Sequence, residues 1–534
     1  MHTLQIEPPA SSSWGRALAV AALFAALTLL LTTRNNGFPI EFHPDEWGKV
    51  DQIQTGTYNY NHPLLMLRAT EQILSMTGGG TTTQQVVMAG RWGSAIANAA
   101  AVLCLVLIAS RLGGGVAGVV AGALLASNHL MFELAHYFKE DTWFLFGLSV
   151  FLLALIQYGR RGGPARAALL GAALGIAAST KYTSVVLVPI AVGAVIFLGQ
   201  RRRAMQIAIG LAACVAVWVF INWPLLRELM TAGDAVLGEL RLALGGQRGI
   251  GRPIPHGWYF DQAYDKISPI VWALVLVYLG TLLLRRRTVP AGEWVVAAFP
   301  FAFAGLLSFF AKVSYRYLLP IAAGALVLAG LGAGALARLR WRGRAPLGRR
   351  QAGIVLAGVL AVGLIDQLPR LVEYYDGFLH GTRAQLVEAI ETHVPAGARI
   401  AAENRVGLAA FDLPYEVLDA MFVADLGDLS TLRDQGTLFF AVTKRRYGPL
   451  FDEDMVAPSD DPEFIRRRDF YARLFSEGEL LFEVRQGPVK YMEPHLALYR
   501  LPSAAASADA PGLGDVSTQL DRSGSNAGTP LPTH

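Results

Sequence analysis

Asp45 and Glu46 are adjacent carboxylates two residues after His43, in the segment Phe42-His43-Pro44-Asp45-Glu46-Trp47. The segment follows the first long apolar run of the chain, so its charges stand at the edge of a membrane. Ionisable groups are costly to keep close to lipid and there mark a functional site. The plain alternative is a solvated loop that happens to be acidic. A second set of residues is basic. Lys139, Lys181, Lys312 and Arg316 are single cations at the ends of apolar runs. An anion held at the membrane surface accounts for them; otherwise they only snorkel to lipid headgroups.

The elements that must position these residues are membrane helices. The chain has 534 residues, of which 53% are hydrophobic and only 16% charged. Soluble domains carry roughly 25% charged residues, so the chain reads as a polytopic helical membrane protein with room for a modest soluble domain. The net charge of +5 is no argument for a nucleic-acid partner, because short loops between apolar runs contain most of the arginine clusters. Cys104 and Cys214 lie inside apolar runs and read as small buried hydrophobes. Apolar runs long enough to span fall at about 14–33, 86–110, 112–131, 142–159, 166–180, 183–199, 204–222, 267–284, 292–311, 316–337 and 352–369. That predicts about eleven transmembrane helices, the first of them a membrane span and not a cleaved signal.

Arginine clusters at 160–166, 201–203, 285–287 and 338–350 all fall on one side if this count is right. By the positive-inside rule that side is the cytoplasm, which puts the N-terminus inside and everything after 369 outside. All seven lysines, Lys49 through Lys490, then lie outside, together with Asp45 and Glu46. Two outer loops are long. In loop 34–85, Leu64–Met76 is amphipathic and is expected to lie flat in the interface. Loop 223–266 carries Gly245-Gly246-Gln247-Arg248-Gly249 and His256-Gly257-Trp258. No strand precedes its glycines and no Lys-Ser/Thr follows them, which argues against a P-loop. It reads as a mobile loop gating a site, or as a passive one. Residues 371–503 predict a small extracytoplasmic α/β domain, with strands near 399–402, 438–443, 480–485 and 496–500 and helices near 383–393 and 461–477. Residues 1–13 and 504–534 have the composition of disordered ends.

The order of these pieces resembles the lipid-carrier-dependent glycosyltransferases of the C superfamily, above all the protein O-mannosyltransferases and the bacterial aminoarabinose transferase of lipid A. The matching pieces are the acidic segment, His62-Pro63-Leu64-Leu65, Arg91, His136-Tyr137-Phe138-Lys139-Glu140-Asp141, Gly175 through Thr183, and Tyr315-Arg316-Tyr317-Leu318-Leu319-Pro320. They cover roughly residues 14–370. The resemblance implies a polyprenyl-phosphate sugar as donor, an inverting transfer on the outer face of a bacterial inner membrane, and Asp45 as the base that deprotonates the acceptor hydroxyl. Glu46 would position the acceptor or tune Asp45. Lys181 and Arg316, then Lys139, with His62 and Tyr317 nearby, would bind the carrier phosphate. Such a reaction needs a carboxylate at the acceptor and cations at the departing phosphate. It needs no ATP site. His43 and His62, with Asp45 or Glu46, could hold a divalent metal as in some members of the superfamily; without tight ligand spacing, hydrogen-bonded loop histidines are the favoured reading. Glu140 and Asp141 would hold Lys139, or simply cap the fourth helix. The chain lacks the lumenal repeats of the eukaryotic O-mannosyltransferases, so a glycan, lipid or other envelope acceptor is favoured over protein. A transporter or flippase for a lipid-linked anion is the competing class. It explains the outer cations but not a dense acidic motif in a loop, and it calls for charges in mid-span. A scaffold that merely anchors the C-terminal domain needs fewer helices.

Overall fold

A computed structural model of the protein describes residues 4–6, 13–198, 203–245, 257–310, 314–341, 349–452 and 461–503. The chain divides into two units. One comprises Met1–Ala384, Asp452–Ala457 and Gln486–Pro494; the other comprises Gln385–Phe451, Pro458–Arg485 and His495–His534. The helix Arg349–Leu379 lies wholly within the first unit, whose main stretch ends at Ala384.

The first unit is helical, and each expected apolar run lies on helix. Among the described residues, five helices are long and apolar enough to cross a membrane: Trp14–Thr33, Thr83–Gly113, Glu140–Arg161, Arg203–Ile221 and Tyr315–Leu336. Two bent pairs, Gly115–Ala126 with His129–Ala135 and Trp258–Tyr264 with Pro269–Leu284, raise the number to seven if each crosses once. Pro164–Ala178, Tyr182–Phe197 and Ala291–Leu307 are apolar but shorter. Glycines let these helices approach closely, as small residues do where helices pack without water. A Cβ on Gly171 would stand 1.9 Å from the Gly210 carbonyl oxygen, and one on Gly332 would stand 2.0 Å from that of Leu274.

The two long loops are more structured than their sequences promise. Loop 34–85 contains helices Trp47–Thr55 and Leu65–Met76, the second burying Met66, Leu67 and Thr70 on its apolar stripe. Loop 223–266 holds helix Leu229–Gly245, with a short turn at Trp223–Arg227 before it and Trp258–Lys266 after it. Leu229, Leu237, Leu240 and the alanines between them make a proline-free helical stretch that the flanking glycines obscured. Gly246–Gly249, His256 and Lys312 lie outside the described residues. Leu4–Ile6 (β1), expected to be disordered, pairs antiparallel with Leu339–Trp341 (β2).

The second unit contains a five-stranded sheet of Arg399–Glu403 (β3), Glu416–Ala420 (β4), Thr437–Thr443 (β5), Glu479–Val484 (β6) and Leu496–Arg500 (β7). The order is β4-β3-β5-β7-β6, with β3, β4 and β5 parallel and β7 antiparallel to both neighbours. Strand periodicity splits its core. Ala401, Phe440, Val442 and Ala497 face helix Pro462–Glu477 through Phe470, Tyr471 and Leu474. Ile400, Ala402, Phe439, Ala441 and Leu498 pack with Leu386 and Ile390 on the other face. Strand β4 is short, and Glu416 and Asp419 break up its apolar residues, which hid it from the sequence reading.

Candidate active site

The acidic segment is shaped by its own residues. Ile40 and Phe42, on a 3-10 turn, are buried and anchor the loop. His43 precedes Pro44 and takes the extended backbone that a following proline favours (φ −110°, ψ 120°). The Asp45 backbone N–H donates to Nδ1 of His43 at 3.2 Å, and the Glu46 N–H donates to the His43 carbonyl at 3.3 Å. With Nδ1 accepting, a neutral His43 carries its proton on Nε2, which is buried and has no hydrogen-bond partner among the described residues. Burial first, then the Lys139 ammonium, pushes the His43 imidazole well below its ordinary value, so it stays neutral.

Asp45 and Glu46 then diverge. Asp45 is 45% exposed and is ion-paired with the buried Lys139; Arg316 Nη1 stands 3.4 Å from the same carboxylate oxygen. Partial burial pulls the Asp45 carboxyl upward, but Lys139, His43 and Lys49 outweigh it and hold it well below the usual range. Glu46 is fully buried. Arg91 grips it with two bonds, Nε to Oε1 at 3.0 Å and Nη2 to Oε2 at 2.5 Å, and the Phe138 N–H donates to Oε1 at 2.7 Å. Arg91 also donates to the carbonyls of Asn36 and Phe38. Glu46 thus ties the loop, the helix Thr83–Gly113 and the strip before Glu140 into one piece. Its burial leaves no surface for an acceptor.

Of the two roles open to them, Glu140 and Asp141 take the first-turn one: they are the acids of the first turn of helix Glu140–Arg161, and the carboxylate that pairs with Lys139 is that of Asp45. The charges at the start of this helix go to separate partners. Lys139, at its N-cap, turns back to Asp45. Glu140 meets Lys49 at 3.2 Å and His62 at 3.0 Å. Asp141 meets Lys181 at 2.8 Å. Burial opposes the Lys181 charge, but Asp141 and Tyr317 more than restore it, and its ammonium is raised above the ordinary value. Lys181 and Arg316 lie 4.5 and 5.6 Å from the Tyr317 ring. The cluster therefore holds four cations, Lys49, Lys139, Lys181 and Arg316, against three carboxylates. Arg316 has no carboxylate of its own among the described residues, and its Nε is buried without a hydrogen-bond partner.

Lys181, Arg316, His62, Asp141 and Tyr317 line one end of a cavity of about 390 Å³. Its remaining wall is chiefly apolar, with Phe144, Val185, Val186, Leu306, Phe310 and Leu319. Glu239 also lines it. Asn222 fixes the rim: the Leu64 N–H donates to its Oδ1 at 2.8 Å, and its amide donates to Ser179 Oγ at 2.9 Å. The residues singled out by sequence thus converge on one place, except that Glu46 turns inward and His43 packs beneath the loop. His43 uses Nδ1 on the backbone, the His62–Glu140 pair is completed by an ammonium, and no group of three or more histidine, cysteine or acidic ligands forms among the described residues.

The family described as dolichyl-phosphate-mannose-protein mannosyltransferase matches residues 79–226. ArnT from Cupriavidus metallidurans bound to undecaprenyl phosphate is similar in structure, with TM-score 0.54 and 13% identity over 91% of this chain and 98% of that one. Its apo state gives 0.51, with 14% identity over 89% and 97%. The chain thus shares its fold with ArnT, and its residues 79–226 match the mannosyltransferase family. An oligosaccharyltransferase from Archaeoglobus fulgidus is a looser likeness, with TM-score 0.49 and 12% identity over 89% of this chain and 81% of that one. No curated protein matches the sequence.

Proposed function

We propose that the protein transfers a sugar from a polyprenyl-phosphate carrier to an acceptor hydroxyl of the cell envelope, on a glycan, lipid or protein. One observation carries the reading: a half-exposed carboxylate, Asp45, shares one of its two cations, Arg316, with the charged end of an otherwise apolar cavity. The cavity suits a prenyl tail that continues into lipid, and its charged end suits a phosphate. In the reaction, Asp45 takes the acceptor's proton and the acceptor oxygen attacks the anomeric carbon. The bond from that carbon to the phosphate oxygen breaks, and the carrier phosphate leaves with the electron pair. A single displacement inverts the anomeric centre. Arg316 and Lys181, with Lys139, stabilise the charge that grows on the phosphate. Glu46 acts from below by fixing the loop.

In the membrane, eleven crossings result if each bent pair spans once and the three shorter apolar helices and Arg349–Leu379 span as well. The arginine clusters then face the cytoplasm and the site faces outward, in a bacterial inner membrane. The test is turnover by purified protein in detergent and lipid, with a panel of polyprenyl-phosphate sugars. Release of polyprenyl phosphate that disappears in Asp45→Asn supports the reading. Donor carried across vesicles equally well by wild type and Asp45→Asn would replace it with a flippase.

A further inference from the structure

Residues Gln486–Pro494 join β6 to β7 in the sequence, yet they pack with the first unit. The ring of Tyr491 lies 4.4 Å from the His43 imidazole, whose other aromatic neighbour, Tyr137, lies 4.5 Å away. The two tyrosines meet edge to face at 5.7 Å, so two rings close over His43, which is completely buried. The segment is itself fixed. Arg383 Nη1 donates to the Tyr491 carbonyl at 2.6 Å, while its guanidinium lies 4.2 Å over the Phe42 ring. Gly487 and Val489 donate their N–H groups to Glu493, at 3.0 and 3.1 Å. Thr382 Oγ1 donates to the Pro494 carbonyl at 2.7 Å. At Gly381 even a methyl group would strike the Met492 carbonyl at 2.6 Å.

We propose that Tyr491 is a positioning residue for Asp45, lent to the site by the connection between β6 and β7. The chain of contacts is short. Tyr491 packs on His43, Nδ1 of His43 accepts the Asp45 N–H, and that bond sets the turn that carries the carboxylate. Among the described residues, the side chain of Asp45 is held only by Lys139 and Arg316, for which a donor phosphate competes. Its backbone anchor is therefore what keeps it in place during the reaction, and a base misplaced by about 1 Å loses about a hundredfold in rate. The inference rests on Asp45 being the base.

The test uses the full chain with donor turnover, taking Tyr491→Phe and Tyr491→Ala beside Asp45→Asn. Tyr491→Phe keeps the ring and holds kcat within about twofold. Tyr491→Ala lowers kcat by about tenfold to a hundredfold, with donor KM and melting temperature close to wild type. It also adds an acid limb near pH ~6.5. Water then reaches His43, which protonates and can no longer accept the Asp45 N–H. The charged groups acting on His43 are Lys139, Asp45, Lys49 and Arg316, with the phenols of Tyr137 and Tyr491 against its ring. A merely structural ring would not add that limb. Wild-type kcat in Tyr491→Ala, or a loss that tracks the melting temperature without a new limb, overturns the inference. If Tyr491→Ala does not fold, Tyr491→Leu carries the comparison, and its failure to fold assigns the ring to packing alone. Turnover lost in Asp45→Asn but kept in Tyr491→Ala removes this inference and leaves the transferase reading standing. Turnover that survives Asp45→Asn removes both.

Discussion

Replacing Asp45 by Asn keeps the side chain's shape while removing the base and one negative charge. A positioned general base contributes roughly 10² to 10⁴ in rate, or about 3–5 kcal/mol of barrier. The fold should survive the change. Lys139 loses its partner, and breaking a fully buried pair costs about 3–5 kcal/mol. Asp45 is 45% exposed, however, so solvent screening brings the loss nearer 1 kcal/mol. Donor affinity should hold or improve, because the cations no longer divide their attraction between Asp45 and the phosphate. The assay is single-turnover release of polyprenyl phosphate, with KM for the donor and the melting temperature measured alongside. The expected pattern is kcat down at least a hundredfold, KM equal or lower, and melting shifted by a few degrees at most. The pH profile offers a second check. The wild-type carboxyl is held below its usual value of about 3.9, so the base form persists downward and no acid limb from Asp45 appears above pH ~4. A residual rate above one tenth, or a raised KM with kcat retained, would make Asp45 a binding group and refute the argument.

Lys181→Ala should raise donor KM by tenfold or more and also destabilise the protein, because it strands the buried Asp141 carboxylate at about 3–5 kcal/mol. Adding Asp141→Asn should restore the melting temperature but not donor binding, and recovery of both would refute a phosphate role for Lys181. Glu46→Gln breaks a buried bidentate pair with Arg91 and should cost about 3–5 kcal/mol in denaturant titrations; a loss under 1 kcal/mol would mean the loop is held by something else. In the second unit, burial pushes Glu403 up to about 8, although the Tyr471 hydroxyl and the Thr443 N–H both donate to it. Its folded value exceeds the unfolded one of about 4.3, so its contribution to stability is intact below pH ~4 and is lost as pH rises toward 8. Glu403→Gln should flatten that slope in calorimetric melting, and an unchanged slope would place the proton elsewhere.

The helices were legible because apolar runs of spanning length need no partner to identify them. The sorting of single lysines away from arginine clusters was enough to expect Asp45, Lys139, Lys181 and Arg316 together, and the structure joins them in one cluster. What the sequence could not tell was pairing. Lys139 and Asp141 are two residues apart, yet each ionises against a residue at least 40 positions away, Asp45 for one and Lys181 for the other. Adjacent Asp45 and Glu46 look equivalent as letters. Only Arg91, a cation deep in the second apolar run, separates an exposed acid from a buried one. A lone arginine inside such a run was the available signal, since it must find a carboxylate or carbonyls there. Tyr491 carried no signal at all, because an aromatic residue between two strands is ordinary.

The charge count of the cluster follows the reaction through. Lys49, Lys139, Lys181 and Arg316 against Asp45, Glu140 and Asp141 leave one positive charge in the ion-paired cluster. A polyprenyl-phosphate sugar is a phosphodiester with one negative charge, so donor and site balance. On transfer the phosphodiester becomes a monoester that can carry two negative charges, its second ionisation falling near pH ~6. At the same step Asp45 gains the acceptor's proton, and the site rises to two positive charges. The sum is unchanged, and no step leaves an uncompensated charge in a site walled by lipid-like side chains. Binding the product to the resting enzyme breaks that balance, because Asp45 is then ionised and the phosphate is doubly charged. A proton should be taken up to restore it. Calorimetry of polyprenyl phosphate binding at pH 8, in buffers of different ionisation enthalpy, should report an uptake approaching one proton in wild type and none in Asp45→Asn. Equal uptake in both would put the proton on the phosphate and detach Asp45 from the charge balance.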